Sequence, residues 1–278
     1  MGPKPPKAGG VTAVWMAQRR AEESARPDRL FDDPLAAAFV QAAGSAAPPA
    51  WARAGAMQDY FAVRTRFIDD QLLAADADGC RQVVLLGAGL DARAFRLAWP
   101  DPATRLFELD VPDVLTFKAD VLTELGAQPR CERIAVAADL RADWTAALAA
   151  AGLRADAPTV WLVEGLLMYL AQADADRLVD RIGACSAPGS RLVLEHRRFE
   201  MPTFSQALAA VPLELALAAL GATWRSSVRD PVAWLGAHGW RATAPDAAEV
   251  ARGYGRTIPP DARAWLVSAV RASVSSTT

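Results

Sequence analysis

Between Val83 and Asp91 the chain reads Val83-Val84-Leu85-Leu86-Gly87-Ala88-Gly89-Leu90-Asp91, an apolar run that stops on a Gly-x-Gly turn. It passes at once into the helix-like Ala92-Arg93-Ala94-Phe95-Arg96-Leu97. A buried strand that breaks on two glycines before a helix is the opening unit of a nucleotide-binding α/β sheet, because glycine permits both the sharp turn and the close approach of a ligand. Gly87-x-Gly89-x-x-Ala92 also fits the dinucleotide fingerprint, so the turn by itself leaves the ligand open.

From Gln82 onward, short apolar strands alternate with helical segments. The pattern predicts strands near Val83-Leu86, Leu106-Leu109, Ile134-Ala137, Val160-Val163 and Leu192-Leu194. Helices are predicted near Ala92-Ala98, Pro112-Leu125, Trp144-Ala151 and Ala173-Cys185. Such alternation implies parallel strands joined by crossovers, hence a doubly wound, mostly parallel sheet. A last strand pair is expected at Trp240-Ala244 and Trp265-Val270. With 278 residues, 52% of them hydrophobic, one large α/β core suffices. The expected layout is a disordered lead over 1–10 and a single domain over 11–278. Within that domain, 11–80 form an N-terminal helical cap, 81–198 the ligand-binding core, 199–230 a helical lid insertion and 231–278 the C-terminal strands and helix.

Composition removes several function classes. A net charge of -2 without a basic block argues against a nucleic-acid surface. No apolar stretch approaches the roughly 20 residues needed to span a bilayer, so a cytoplasmic protein without a membrane partner is expected. Cys80, Cys131 and Cys185 are scattered without a Cys-x-x-Cys, and His196 and His238 lie 42 residues apart, which speaks against a disulfide framework or a metal site.

In open parallel sheets, ligands bind beyond the carboxyl ends of the strands. Here those ends carry the glycine turn, Glu108 and Asp110, Asp139, Glu164, and Glu195-His196. Any one of these acids could simply cap the next helix. Asp110 lies 21 residues after Gly89 and Glu108 lies 19 after it, both at the distance of a carboxylate that accepts from ribose hydroxyls. Asp110 is the better placed, and Glu108 is the one to hold the loop. Asp139-Leu140 suits an adenine, the carboxylate accepting from its amino group. Upstream, Arg64 falls on the apolar stripe Phe61, Ile68, Leu72 of a helix, so it is expected to be buried and to need an anionic partner. That partner is either a ligand carboxylate or a carboxylate of the protein. Arg66, off the stripe with Asp70 at i+4, reads as a surface ion pair.

Several ordered strings resemble the leucine carboxyl methyltransferase-like family of class I S-adenosylmethionine-dependent methyltransferases, in particular its bacterial branch. They are Leu85-Leu86-Gly87-Ala88-Gly89-Leu90-Asp91-Ala92-Arg93-Ala94-Phe95-Arg96-Leu97, Phe107-Glu108-Leu109-Asp110-Val111-Pro112 with Lys118, Asp139-Leu140-Arg141, and Glu164-Gly165-Leu166-Leu167-Met168-Tyr169-Leu170. Arg29-Leu30-Phe31-Asp32-Asp33-Pro34-Leu35-Ala36 and Pro231-Val232-Ala233-Trp234-Leu235 extend the resemblance from about residue 12 to 270. It implies a seven-stranded Rossmann-like sheet and S-adenosylmethionine (SAM) as cofactor, with S-adenosylhomocysteine (SAH) as product. It further implies that Arg64 binds the methionine carboxylate, Gly87 and Gly89 line the methionine and ribose, Asp110 accepts from the ribose, and Asp139 and Leu140 hold the adenine. Glu164 would stand near the amino-acid end or the substrate mouth. Ala92 and Phe95 depart mildly from the threonine and tyrosine frequent in the family.

The reaction implied is methyl transfer to an oxygen. A carboxylate acceptor needs no base, whereas a hydroxyl would profit from one. His196 is the leading candidate for that base, with Glu195 and Tyr169 behind it, and a structural hydrogen bond at the strand end is the competing role for His196. His238 reads as a helix C-cap. The apolar side chains of 199–220 suggest a small, largely apolar metabolite as acceptor, of the kind found in secondary metabolism, and a monomer or homodimer is expected. An NAD(P)-dependent oxidoreductase, or a SAM-binding protein that transfers no methyl, is the alternative.

Overall fold

A computed structural model describes residues 8–44, 55–198, 224–258 and 264–272. Seven strands form one sheet in the order β3-β2-β1-β4-β5-β7-β6. They are β1 (Gln82–Leu86), β2 (Arg105–Asp110), β3 (Glu132–Ala137), β4 (Thr159–Val163), β5 (Arg191–Arg197), β6 (Trp240–Thr243) and β7 (Ala264–Arg271). The first five run parallel, while β7 lies antiparallel to both β5 and β6. Strand order reverses between β1 and β4, which opens a crevice at the carboxyl edge beside the glycine turn.

Nine helices of the described residues cover the two faces. They are α1 (Ala8–Ser24), α2 (Ala36–Ala42), α3 (Gly55–Ala77), α4 (Arg93–Arg96), α5 (Pro112–Glu124), α6 (Trp144–Ala150), α7 (Gln172–Ala184), α8 (Pro231–Ala237) and α9 (Ala247–Gly253). Pro at the first turn of α5 and of α8 costs no hydrogen bond there, and Asp230 caps α8 by accepting from the Val232 and Ala233 amides. α4 is a single turn because Leu97 is already extended.

Side chains alternate along each strand, so two cores form. Val83, Leu85, Leu106, Val160, Leu162, Val193 and Leu266 pack against Tyr60, Val63, Phe67, Ile68 and Leu72 of α3. The opposite parity, Val84, Leu86, Phe107, Leu109, Trp161, Val163, Leu192, Leu194 and Val267, packs with Trp144 of α6, Val179 of α7 and Leu235 of α8. At about 25 cal/mol per Å², each large buried aliphatic side chain adds about 2 kcal/mol of transfer free energy, so both faces are firmly held.

Two expectations need correction. Helix α1 begins at Ala8, so the last three residues of the predicted lead are helical. Strand β5 continues to Arg197, with Glu195 paired to Leu266 and His196 to Trp265. Both residues therefore lie inside the strand rather than just past it. The expected lid over 199–220 lies outside the described residues. Among those described, no helix is long and apolar enough to cross a membrane.

Candidate active site

The glycine turn is fastened to the neighbouring strand. The amides of Gly87 and Ala88 both donate to the Leu109 carbonyl, at 2.9 and 3.0 Å. The Gly89 amide donates to Asp110 Oδ2 at 2.7 Å. Both glycines have positive φ, 69° and 50°, a backbone state that excludes most side chains. A Cβ on Gly89 would stand 3.2 Å from the Ala13 Cβ of α1, so α1 runs directly across the turn. Arg20 ties α1 down by donating to the Leu90 carbonyl at 2.6 Å and to Asp33 at 2.8 Å.

Along the carboxyl edge the acids follow strand order. Asp139 follows β3 and Asp110 ends β2; the turn follows β1, Glu164 follows β4, and Glu195 closes the row in β5. Asp110 keeps its second oxygen on the Val111 amide at 2.7 Å. Burial pushes its carboxyl above the ordinary value against the pull of those two amides. Glu108, one pleat below, is fully buried against Lys118 at 2.8 Å and Arg133 at 2.7 Å, which makes it the residue that braces the strand. Asp139 is half-exposed and grips Arg141 two residues on, and that hydrogen bond holds its pKa down at about 2. Leu140 packs on the second core.

Across the crevice, α3 supplies the positive charge. Arg64 is 5% exposed and forks between two carboxylates, with Nη1 at 2.7 Å from Glu195 and Nη2 at 2.9 Å from Glu164. Its Nε is buried without a hydrogen-bond partner among the described residues. Glu164 takes a second guanidinium on its other oxygen, Arg93 Nη1 at 2.8 Å. Arg93 in turn pairs with Asp91 and, at 2.7 Å, with Asp69, which also holds Arg96 through both oxygens at 2.6 and 2.8 Å. Burial raises the Glu164 pKa, but Arg93 and Arg64 overcome it and hold the carboxyl below its usual value. The same opposition appears at Arg64, where burial disfavours the charge and Glu195 and Glu164 more than restore it.

Comparison with known proteins places this geometry. The sequence pattern of the leucine carboxyl methyltransferase family matches residues 13–183. The chain belongs to the leucine carboxyl methyltransferase family. A provisionally named S-adenosyl-L-methionine-dependent methyltransferase of Parafrankia sp. (strain EAN1pec) is 47% identical over 274 residues, covering 95% of this chain and 87% of the relative. One from Streptomyces coelicolor is 48% identical over 281 residues, covering 96% of each. Among solved structures, a provisionally named methyltransferase from Thermobifida fusca superposes with a TM-score of 0.60 at 16% identity, covering 97% of this chain and 96% of that one. A DUF574 family protein from Streptomyces avermitilis gives 0.57 at 18% identity, with 92% and 96% covered. At such identities these structures speak to the fold alone. The seven-stranded class I methyltransferase sheet is the fold the sequence predicts.

Within this family member, the predicted site residues divide. Arg64, Gly87, Gly89, Asp110 and Glu164 gather on one edge with Glu195, and Asp139 and Leu140 extend that edge beyond β2. Both readings offered for Arg64 meet here, since it is buried and already has protein carboxylates as partners. His196 does not join them. It points from the opposite parity into the second core, fully buried, its ring 5.4 Å from that of Trp234. Its Nδ1 accepts from the Arg197 amide at 2.8 Å, its Nε2 has no partner among the described residues, and burial pulls its pKa down to about 4. That is the structural role at the strand end, so the neutral ring holds β5 and does not face the crevice. Tyr169 sits half-buried in a 3₁₀ turn (Leu167–Tyr169), where burial and then Glu195 raise its phenol. His238 terminates α8 as expected, with Nδ1 2.7 Å from Asp180. Arg66 pairs with Asp70 at 2.9 Å on the surface.

Sequence reading does not find Tyr60, Asp69, Asp91, Arg93 or Arg96, although these residues organise the edge. A signal is present in retrospect. Arg93 and Arg96 are i,i+3 on a segment whose alanines and phenylalanine must be buried, and Asp91 stands two residues before Arg93.

Proposed function

We propose that this protein is a SAM-dependent O-methyltransferase whose acceptor is a small molecule with a carboxylate as the methylated group. The observation that carries the cofactor half is the order along the sheet edge: Asp139, Asp110, the Gly87–Gly89 turn, then Glu164 with Arg64 opposite. A nucleoside with an amino-acid tail laid along that edge meets a carboxylate for each hydrogen-bond donor and a guanidinium for its carboxylate. The residues fit the group: the turn is open at Gly87, the left-handed backbone of Gly89 lets α1 approach so closely that a Cβ there would crowd Ala13 at 3.2 Å, and Arg64 holds a buried donor in reserve.

In this reading Asp110 receives the ribose hydroxyls, Asp139 and Leu140 the adenine, Arg64 the carboxylate and Glu164 the ammonium of the amino-acid end. SAM, when bound, supplies a methyl group on a sulfonium that an oxygen nucleophile can displace in line. The chain's own contribution is to bind, orient and exclude water. Among the described residues His196 packs on Trp234 and His238 pairs with Asp180, so neither is placed as a base in the crevice, and Tyr169 has its proton held more tightly than a free phenol. This favours an acceptor oxygen that arrives ionised, as a carboxylate does, over a hydroxyl that needs a base. The small, apolar character of the acceptor and its place in secondary metabolism rest on the side chains of 199–220, outside the described residues.

The test is calorimetric titration with SAH, with 5'-methylthioadenosine, which lacks the amino-acid end, and with NADH. SAH is expected to bind, NADH to show no heat, and methylthioadenosine to bind more weakly than SAH. Arg64→Met is expected to abolish the preference for SAH over methylthioadenosine. Binding of NADH alone would overturn the assignment. Turnover of radiolabelled SAM against a panel of carboxylic acids and their alcohol counterparts then tests the acceptor class, and methylation confined to the alcohols would contradict it.

A further inference from the structure

Glu195 is placed by sequence among the candidates for a catalytic base, yet neither of its oxygens is free. Oε1 accepts from the Tyr60 hydroxyl. Oε2 accepts from Arg64 at 2.7 Å and from the Gly165 amide at 3.2 Å. The carboxylate is 3% exposed, and Tyr60 is equally enclosed. It therefore joins three elements at one point: α3 through Tyr60 and Arg64, β5 through its own backbone, and the β4 end through the residue next to Glu164.

We propose that Glu195, pinned by Tyr60, is a positioning residue that sets both Arg64 and Glu164 for the amino-acid end of the cofactor. The proposal rests on the reading that Arg64 and Glu164 receive that end. Gly165 follows Glu164 directly and has a φ of 63°, so the Glu195 contact to its amide fixes the backbone that aims Glu164 into the crevice.

Charge balance around Arg64 supports the same role. The buried cluster holds three guanidinia, Arg64, Arg93 and Arg96, against four carboxylates, Asp69, Asp91, Glu164 and Glu195. Within these ion pairs one negative charge is in surplus. Glu164, at 18% the most exposed side chain of the four acids, is where it can meet an incoming ammonium. Glu195 makes that possible by balancing Arg64. Without its charge, Arg64 has Glu164 as its one remaining carboxylate, and the surplus is gone. Glu195 also lies beyond residues 13–183, the stretch that matches the family pattern, so the pair Tyr60–Glu195 joins the matched stretch to a strand outside it.

Two variants separate charge from placement. Glu195→Gln keeps the shape: its carbonyl oxygen can accept from Arg64 and Gly165 while its amide donates to the Tyr60 oxygen, so only the charge is lost. Tyr60→Phe keeps the charge and removes the pin. Affinity for SAH and for 5'-methylthioadenosine is measured by calorimetry for each, with Arg64→Met beside them. Glu195→Gln is expected to weaken SAH about tenfold or more, and Tyr60→Phe about threefold, with methylthioadenosine changed by less than about twofold in both. The double variant is expected to be less than the product of the two, since both act through one carboxylate. Equal weakening of both ligands, or unchanged SAH affinity, would overturn the proposal, and Tyr60→Phe decides it alone if the glutamine variant does not fold. If Arg64→Met leaves the SAH preference intact, the reading of the amino-acid end fails first. If Arg64→Met removes that preference while Glu195→Gln and Tyr60→Phe keep it, the positioning role alone is wrong.

Discussion

The two faces of the sheet meet the carboxyl edge in opposite states. On the α3 face, Glu108, Asp110, Glu164 and Glu195 each have a charged or amide partner, and Arg64 and Arg93 among them are buried. On the α7–α8 face, Trp144 packs edge-on to Trp161, His196 edge-on to Trp234, and Trp240 lies under Arg271, and Trp144, Trp161, Trp240 and His196 each have a ring nitrogen without a hydrogen-bond partner among the described residues. The residues that decide this are chain neighbours: Glu195 and His196 differ by one position and face opposite ways. A period of two thus sorts a strand end into a charged side able to recognise a polar ligand and an aromatic side that supports it. An unpaired guanidinium in such a place costs several kcal/mol, which is why Arg64, Arg93 and Arg96 each have a carboxylate partner, although the Nε atoms of Arg64 and Arg96 lack a hydrogen-bond partner among the described residues.

The largest effect should come from breaking the paired side. Arg93→Met leaves Asp69, Asp91 and Glu164 short of a counter-charge, and a loss of about 3–5 kcal/mol of stability is expected from denaturant unfolding. A loss below about 1 kcal/mol would mean that the network does not hold the edge.

On the aromatic side the prediction concerns pH. His196 has its pKa lowered to about 4 by burial, against 6.5 for the free side chain, and Asp176 of α7 opposes that only in part. The unfolded chain therefore binds more protons between those values, so stability is full above about pH 6.5 and falls as pH drops toward 4. The loss is about 3 kcal/mol by linkage. His196→Gln should flatten this segment of the stability profile. A slope unchanged by the substitution would place the titration elsewhere.

Smaller still, Asp110→Asn should weaken SAH by roughly ten- to a hundredfold, the range of one or two charge-assisted hydrogen bonds. Because burial raises the Asp110 pKa, SAH affinity of the unsubstituted protein should decline as pH falls through that raised value, and the asparagine variant should lose this dependence. Wild-type affinity in Asp110→Asn would remove the residue from the ribose. Asp139→Asn should cost less than about 1 kcal/mol of SAH binding, since the carboxylate is solvated and already spends its charge on Arg141. A larger loss would show that the adenine end is as tightly built as the amino-acid end.

The fold was legible because its signals are local. Apolar runs of four or five residues separated by helical stretches locate the strands, and the Gly87–Gly89 turn locates the crevice. The places where the reading falls short are those where a polar residue is held by a distant one. Strand β5 is predicted as Leu192–Leu194, but pairing with β7 carries it through Glu195, His196 and Arg197, whose polarity hides the extension. Arg64 is legible as buried from its stripe on α3. Its partner Glu195, 131 residues away, is not, because nothing in either segment records the other. Asp69 lies just off that stripe, and it is buried by Arg93 and Arg96, which reach it from another segment. Alternation correctly pairs Glu108 with Asp110 on one face, and burial then separates them, one to brace the strand and the other to meet the crevice.

The most direct test is a crystal structure of the protein with SAH. Ribose hydroxyls are expected on Asp110, adenine toward Asp139 and Leu140, and the amino-acid end between Arg64 and Glu164 on the α3 face. SAH lying with its amino-acid end away from both Arg64 and Glu164 would contradict it.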